Sequence, residues 1–144
     1  MEKIYCSQLS QLPDAAERII EICKDEAIWV FKGRMGAGKT TLIKEIAKKF
    51  EVVDNVSSPT FSIVNEYRDV KGLSYYHFDF YRVMNAEEAL DIGVEEYFYN
   101  GNYCWIEWAE KIAEYIPVDF ALIEISAAES EERVITVNII KDGR

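Results

Sequence analysis

Apolar residues Ala15, Ile19, Ile20 and Cys23 recur at helical spacing between Asp14 and Lys24, behind a Pro13-Asp14 start, which predicts an amphipathic helix. Residues 27 to 32, Ala-Ile-Trp-Val-Phe-Lys, then predict a buried strand, and a glycine-rich turn follows from Gly33 to Gly38. Helical spacing returns over Thr40 to Phe50 through Leu42, Ile43, Ile46, Ala47 and Phe50, so this part of the chain reads strand, loop, helix. Phe61 to Val70 and Leu73 to Tyr81 are rich in aromatic and β-branched residues and flank Asp69-Val70-Lys71-Gly72, the pattern of an antiparallel hairpin. A short helix from Ala86 to Ile92, capped by Asn85 and ended by Gly93, precedes a further short turn over Val94 to Phe98. Tyr103 to Glu107 predicts a strand and Ala109 to Ile116 a helix that stops before Pro117. Phe120 to Ile125 and Val134 to Ile140 predict two last strands, with the charged stretch Glu129 to Arg133 as the turn between them. Strands alternating with helices imply an α/β fold, a mixed central sheet flanked by helices.

Length and composition narrow the picture. At 144 residues, 49% hydrophobic, the chain is expected to form a single domain over residues 1–144 with a real core. Its formal charge of −10 is opposite in sign to a phosphate-neutralising footprint, so stand-alone binding to DNA or RNA is not expected. The longest uninterrupted apolar run, Ala27 to Phe31, is far below the ~20 residues of a membrane-spanning helix. The first residues lack the basic and apolar regions of a secretory signal, so a cytoplasmic location is expected. Cys6, Cys23 and Cys104 have neither the number nor the spacing of a disulfide framework or a zinc site and read as reduced, structural thiols.

The chemistry concentrates in Gly33-Arg34-Met35-Gly36-Ala37-Gly38-Lys39-Thr40, which fills every fixed position of GxxxxGK[ST], the phosphate-binding loop. Glycines let successive backbone N–H groups turn inward as a nest for phosphate oxygens, and the following helix adds its positive end. Gly33, Met35, Gly36, Ala37, Gly38, Lys39, Thr40 and Thr41 are therefore the candidate nucleotide-binding residues. Lys39 supplies a point charge between β- and γ-phosphates, and the Thr40 hydroxyl is placed for Mg²⁺. An acid at a strand end is also needed to hold the metal or its waters, and two compete: Glu107, closing Cys104-Trp105-Ile106-Glu107, and Asp79, closing Tyr75-Tyr76-His77-Phe78-Asp79. Alternation puts His77, Asp79 and Tyr81 on one face of their strand and Phe78 and Phe80 on the other. His77 is the only histidine and is either a packing residue or a functional partner of Asp79. Arg82 is a candidate charge-stabilising finger, Trp108 a candidate stacking residue for a base or a partner, and Ser58-Pro59-Thr60-Phe61 a candidate switch loop. No residue marks the adenine side, although the stretch around Cys6 to Leu12 could reach it.

Four ordered motifs, GxxGAGKTT at Gly33 to Thr41, SPTF at Ser58 to Phe61, HFDFYR at His77 to Arg82 and IEWAE at Ile106 to Glu110, resemble the TsaE family, also called YjeE. The resemblance covers essentially the whole chain and implies a P-loop NTPase-like domain that binds ATP and hydrolyses it slowly in making threonylcarbamoyladenosine on tRNA. It implies the partner proteins TsaB and TsaD, the latter carrying out the transfer, with tRNA contact mainly through the partners. By motif, Thr40 and Glu107 resemble the magnesium ligands, Lys39 the phosphate lysine, Asp79 the acid beside the γ-phosphate and Thr60 the switch-loop threonine. The sequence departs from the family at Arg34, where an acidic residue is common; its side chain is expected to point outward from the loop and to leave nucleotide binding intact. Two alternatives remain open: a nucleotide-gated binding module without essential turnover, and a small-molecule kinase, against which the lack of an evident arginine-rich lid argues.

Overall fold

A computed structural model describes residues 1–59, 63–127 and 132–143. Seven strands form one sheet in the order β1-β7-β6-β2-β5-β4-β3, with β1 at Glu2–Cys6, β2 at Ile28–Lys32, β3 at Val64–Arg68, β4 at Ser74–Asp79, β5 at Tyr103–Glu107, β6 at Phe120–Ala127 and β7 at Arg133–Ile140. β6, β2, β5 and β4 run parallel to their neighbours, while β3, β7 and β1 join antiparallel at the two sides. The sheet is therefore mixed, as its sequence pattern predicts, and its parallel centre reads as the near-continuous apolar runs expected of strands covered on both faces.

Helices α1 (Leu12–Cys23) and α2 (Lys39–Lys49) cover one face, and α3 (Glu87–Asp91), α4 (Val94–Phe98) and a 3-10 segment (Ala109–Tyr115) cover the other. Pro13 and Asp14 lie in the first turn of α1, where a missing N–H costs nothing and a carboxylate meets the positive helix end. Ala15, Ala16, Ile19 and Cys23 of α1 pack with Leu42, Ile43, Ile46 and Ala47 of α2 over Trp29, Phe31 and Trp105. Adjacent strand residues turn the other way: Ile28, Val30, Phe78, Cys104 and Ile106 meet Ala89, Val94, Phe98 and Ile112.

The hairpin forms about the predicted turn. Gly72 takes φ +84°, and the Asp69 carboxylate accepts the amides of Lys71 and Leu73 and the Tyr75 hydroxyl. Three local expectations are corrected. The Asn85 side chain does not cap α3; Ala86 is the N-cap, and the Glu88 carboxylate reaches back to the amides of Met84 and Asn85. Residues 109–115 are 3-10 and not α-helical, broken at Ile112 (φ −132°, ψ 35°), whose side chain is fully buried. Arg133 begins β7 instead of closing a turn; residues 129–131 of that predicted turn lie outside the described residues.

Candidate nucleotide site

Three adjacent parallel strands deliver the site. β2 ends in the glycine loop, and the register pairs Phe31 of β2 with Glu107 of β5, and Glu107 with Asp79 of β4, so both acids stand at carboxyl ends beside the loop. Ligands of open α/β sheets bind in the crevice beyond those ends. There Met35, Gly36, Gly38, Lys39, Thr40, Thr41, Ser58, Asp79, Tyr81, Glu107, Trp108 and Arg133 line a cleft of about 390 Å³.

The loop geometry follows from its glycines. Gly38 is the N-cap of α2 at φ +103°, a region that a side chain strains, and no side chain caps the helix, which leaves its first-turn amides facing the cleft. Gly33 is required for a different reason: a Cβ there would stand 2.7 Å from the Ile125 carbonyl oxygen of β6. Ala37 is buried beneath the loop, while Arg34 is exposed, as the sequence predicts.

Lys39 is nearly buried, with Nζ donating to the Gly33 carbonyl oxygen at 2.7 Å and lying 3.9 Å from the centre of the Trp108 ring. Burial pulls its pKa below the usual lysine value, opposed by the nearby carboxylates of Glu107, Glu110 and Asp79. Trp108 takes φ +60°, an unusual conformation for a bulky residue, and packs against Tyr81 with ring centres 4.9 Å apart. The Thr40 hydroxyl donates to the Glu107 carboxylate, with both oxygens at 3.2 Å. Asp79 accepts the Ser58 hydroxyl at 2.7 Å and the Tyr81 amide at 2.9 Å.

His77 lies beneath the cleft, fully buried, with Nε2 2.7 Å from Glu107 Oε2 and Nδ1 2.9 Å from the Tyr67 hydroxyl. Its hydrogen-bonding partner is thus Glu107 across the sheet, not Asp79 two positions along its own strand. Arg82 is exposed and outside the cleft lining, and Thr60 lies outside the described residues. Leu9 and Leu12 line a smaller cavity of about 140 Å³ that shares Gly38, Thr41 and Arg133 with the cleft.

Sequence reasoning missed Ser58 as the partner of Asp79, Tyr67 as the partner of His77, and Arg133 in the cleft. Tyr67 had a signal: the turn at Asp69–Gly72 sets the hairpin register, which places Asn65 opposite His77 and Tyr67 one diagonal step away on the same face.

The set of donors matches magnesium and a polyphosphate. A hydroxyl and a carboxylate oxygen stand together, as a hard cation requires, beside an ammonium and open helix amides. Among the described residues no group of three or more His, Cys, Asp or Glu forms a metal-sized site. Also among the described residues, no helix is long and apolar enough to cross a membrane.

Sheet order, glycine loop and acids at neighbouring strand ends define a P-loop NTPase-like α/β protein. A family model described as threonylcarbamoyl adenosine biosynthesis protein TsaE matches residues 6–135. The chain belongs to the TsaE family. The tRNA threonylcarbamoyladenosine biosynthesis protein TsaE of Bacillus subtilis is 39% identical over 113 residues, 78% of this chain and 70% of that protein. The TsaE proteins of Haemophilus influenzae and Treponema pallidum are 38% and 32% identical, over 76% and 81% of this chain and 70% and 84% of their own. The crystal structure of Bacillus subtilis YdiB matches with a TM-score of 0.77 at 30% identity, covering 96% of this chain and 85% of that one.

Proposed function

We propose that residues 1–144 act as one ATPase domain that binds MgATP, hydrolyses it slowly and supports the TsaB and TsaD proteins in forming threonylcarbamoyladenosine on tRNA in the cytoplasm. The observation that carries the reading is the convergence of the GxxxxGKT loop, Asp79 and Glu107 at the ends of three neighbouring parallel strands. The names of its relatives support the pathway, and the charge of −10 favours leaving tRNA contact to the partners.

In this reading the amides of the loop and of the first turn of α2 hold the phosphate oxygens, and Lys39 exchanges the Gly33 carbonyl and the Trp108 ring for the β- and γ-phosphates. Thr40 and Glu107 hold magnesium, directly or through water, and the metal when bound neutralises charge on the phosphate chain. Asp79, oriented by Ser58 and the Tyr81 amide, positions the attacking water or the metal shell. Turnover is slow because both acids already accept hydrogen bonds from the protein, which weakens either as a base. Lys39→Ala is expected to abolish tight MgATP binding in calorimetry; affinity retained within a few-fold overturns the site.

A further inference from the structure

Tyr67 and His77 take no part in the steps above, yet they complete a polar line across the aromatic face of the sheet. It starts at Ser57, whose amide donates to the Tyr67 hydroxyl at 3.3 Å and whose carbonyl oxygen lies 2.8 Å from that hydroxyl. The Asn65 amide group, donating to the same carbonyl at 3.1 Å, braces this end. From the Tyr67 hydroxyl the line passes to Nδ1 of His77, from Nε2 to Oε2 of Glu107, and from Glu107 to the Thr40 hydroxyl.

Resting on the reading of the cleft as a magnesium nucleotide site, we propose that His77 is a positioning residue, steadied from behind by Tyr67, that fixes the Glu107 carboxylate for the metal. His77 is 0% exposed and is not part of the cleft lining, so it acts only through what it touches. Because a carboxylate accepts and never donates, Nε2 carries the proton of the bond to Oε2, and that bond sets the rotation of the carboxylate about its stem. Turning the ring over would break both of its bonds at once, so Tyr67 keeps Nε2 on the Glu107 side. Glu107 is itself 3% exposed, and without this donor Oε2 would lose a partner that little water could replace. Any buried imidazole needs partners for its ring nitrogens; what is specific here is that one of those partners is the carboxylate that meets Thr40.

Two amide substitutions separate the halves of the ring. The Asn side-chain nitrogen falls near the place of Nδ1 and faces Tyr67, whereas the Gln nitrogen reaches the place of Nε2 and faces Glu107. Calorimetry on the full chain would measure ADP affinity with magnesium and with EDTA, alongside steady-state ATP hydrolysis and melting temperature. His77→Gln is expected to keep the tightening of ADP by magnesium within about 1.5-fold of wild type, and His77→Asn to lose about 10-fold of it with ADP affinity in EDTA unchanged. In hydrolysis, His77→Asn is expected to lower kcat and, because KM follows binding when turnover is slow, to raise KM for MgATP about 10-fold. Equal behaviour of the Asn and Gln variants overturns the proposal while leaving the cleft as the nucleotide site. Should His77→Asn fail to fold, Tyr67→Phe, which removes one oxygen, is expected to weaken the magnesium effect about 3-fold, and an unchanged effect overturns the proposal. A wild-type chain that binds no ADP with magnesium overturns the reading of the cleft and this proposal together.

Discussion

On the face of the sheet under α3, α4 and the 3-10 segment, the buried side chains Ile28, Val30, Phe78, Cys104 and Ile106 are all apolar. On the face under α1 and α2, His77 and Glu107 are buried in the same strands, one position away from Phe78 and Ile106. Adjacent residues of one strand therefore serve different ends: Phe78 fills a dry core and His77 holds a carboxylate, Ile106 fills the core and Glu107 closes a cleft. The pleat with its period of two makes this division possible, and it also means that a slip of one residue in β4 or β5 would destroy core and site at once.

The division breaks most visibly on the dry side. Phe78→Ala is expected to cost about 3–5 kcal/mol of unfolding free energy, read by denaturant titration, while nucleotide affinity measured well below the melting temperature stays within about 3-fold of wild type. A matching loss of affinity in the still-folded variant would show that the two faces are not independent. On the polar side, Glu107→Gln is expected to lower ATP hydrolysis about 100-fold and to leave ATP bound, as read by phosphate release and calorimetry. Full turnover in that variant would remove Glu107 from the chemistry.

The smallest effect belongs to the turn of the hairpin, where the hydrogen bonds to Asp69 stabilise structure only. Burial raises the pKa of Asp69, but the Tyr75 hydroxyl, the Leu73 and Lys71 amides and the Lys71 charge outweigh it and hold the carboxyl below its usual 3.8. A depressed carboxyl contributes stability that is present above that value and lost as the pH falls through the lower folded one. Melting curves of Asp69→Asn should therefore lie below wild type at neutral pH and converge with it below about pH 3.8. Parallel curves across that range would assign the turn's stability elsewhere.

Much of this was legible in the sequence because the relevant signals are local. The apolar run Ile28–Phe31, the glycine spacing of the loop and the helical spacing after Thr40 specify strand, turn and helix within one short segment. Both acids at strand ends were visible for the same reason. What escaped depends on pairing between distant segments. Glu2–Cys6 has only a weak alternation, and its strand character comes from its ladder with β7. Arg133 reaches the cleft because β7 starts there, and His77 meets Glu107 because β4 lies beside β5. The helix expected over 109–116 failed where burial of Ile112 outweighed the preference of its neighbours for an α-helix.

The close approach of Gly33 to Ile125 sets a limit on how the cradle can vary. At Gly36 an added methyl would find open space and only an awkward twist, whereas at Gly33 it would drive one stretch of main chain into another. Peptide groups cannot change rotamer to make room, so the only relief is to lift the whole floor of the cradle away from β6. Tolerance here is governed by clearance between two backbones, and the strictest position is one whose contribution to a ligand is to stay out of the way.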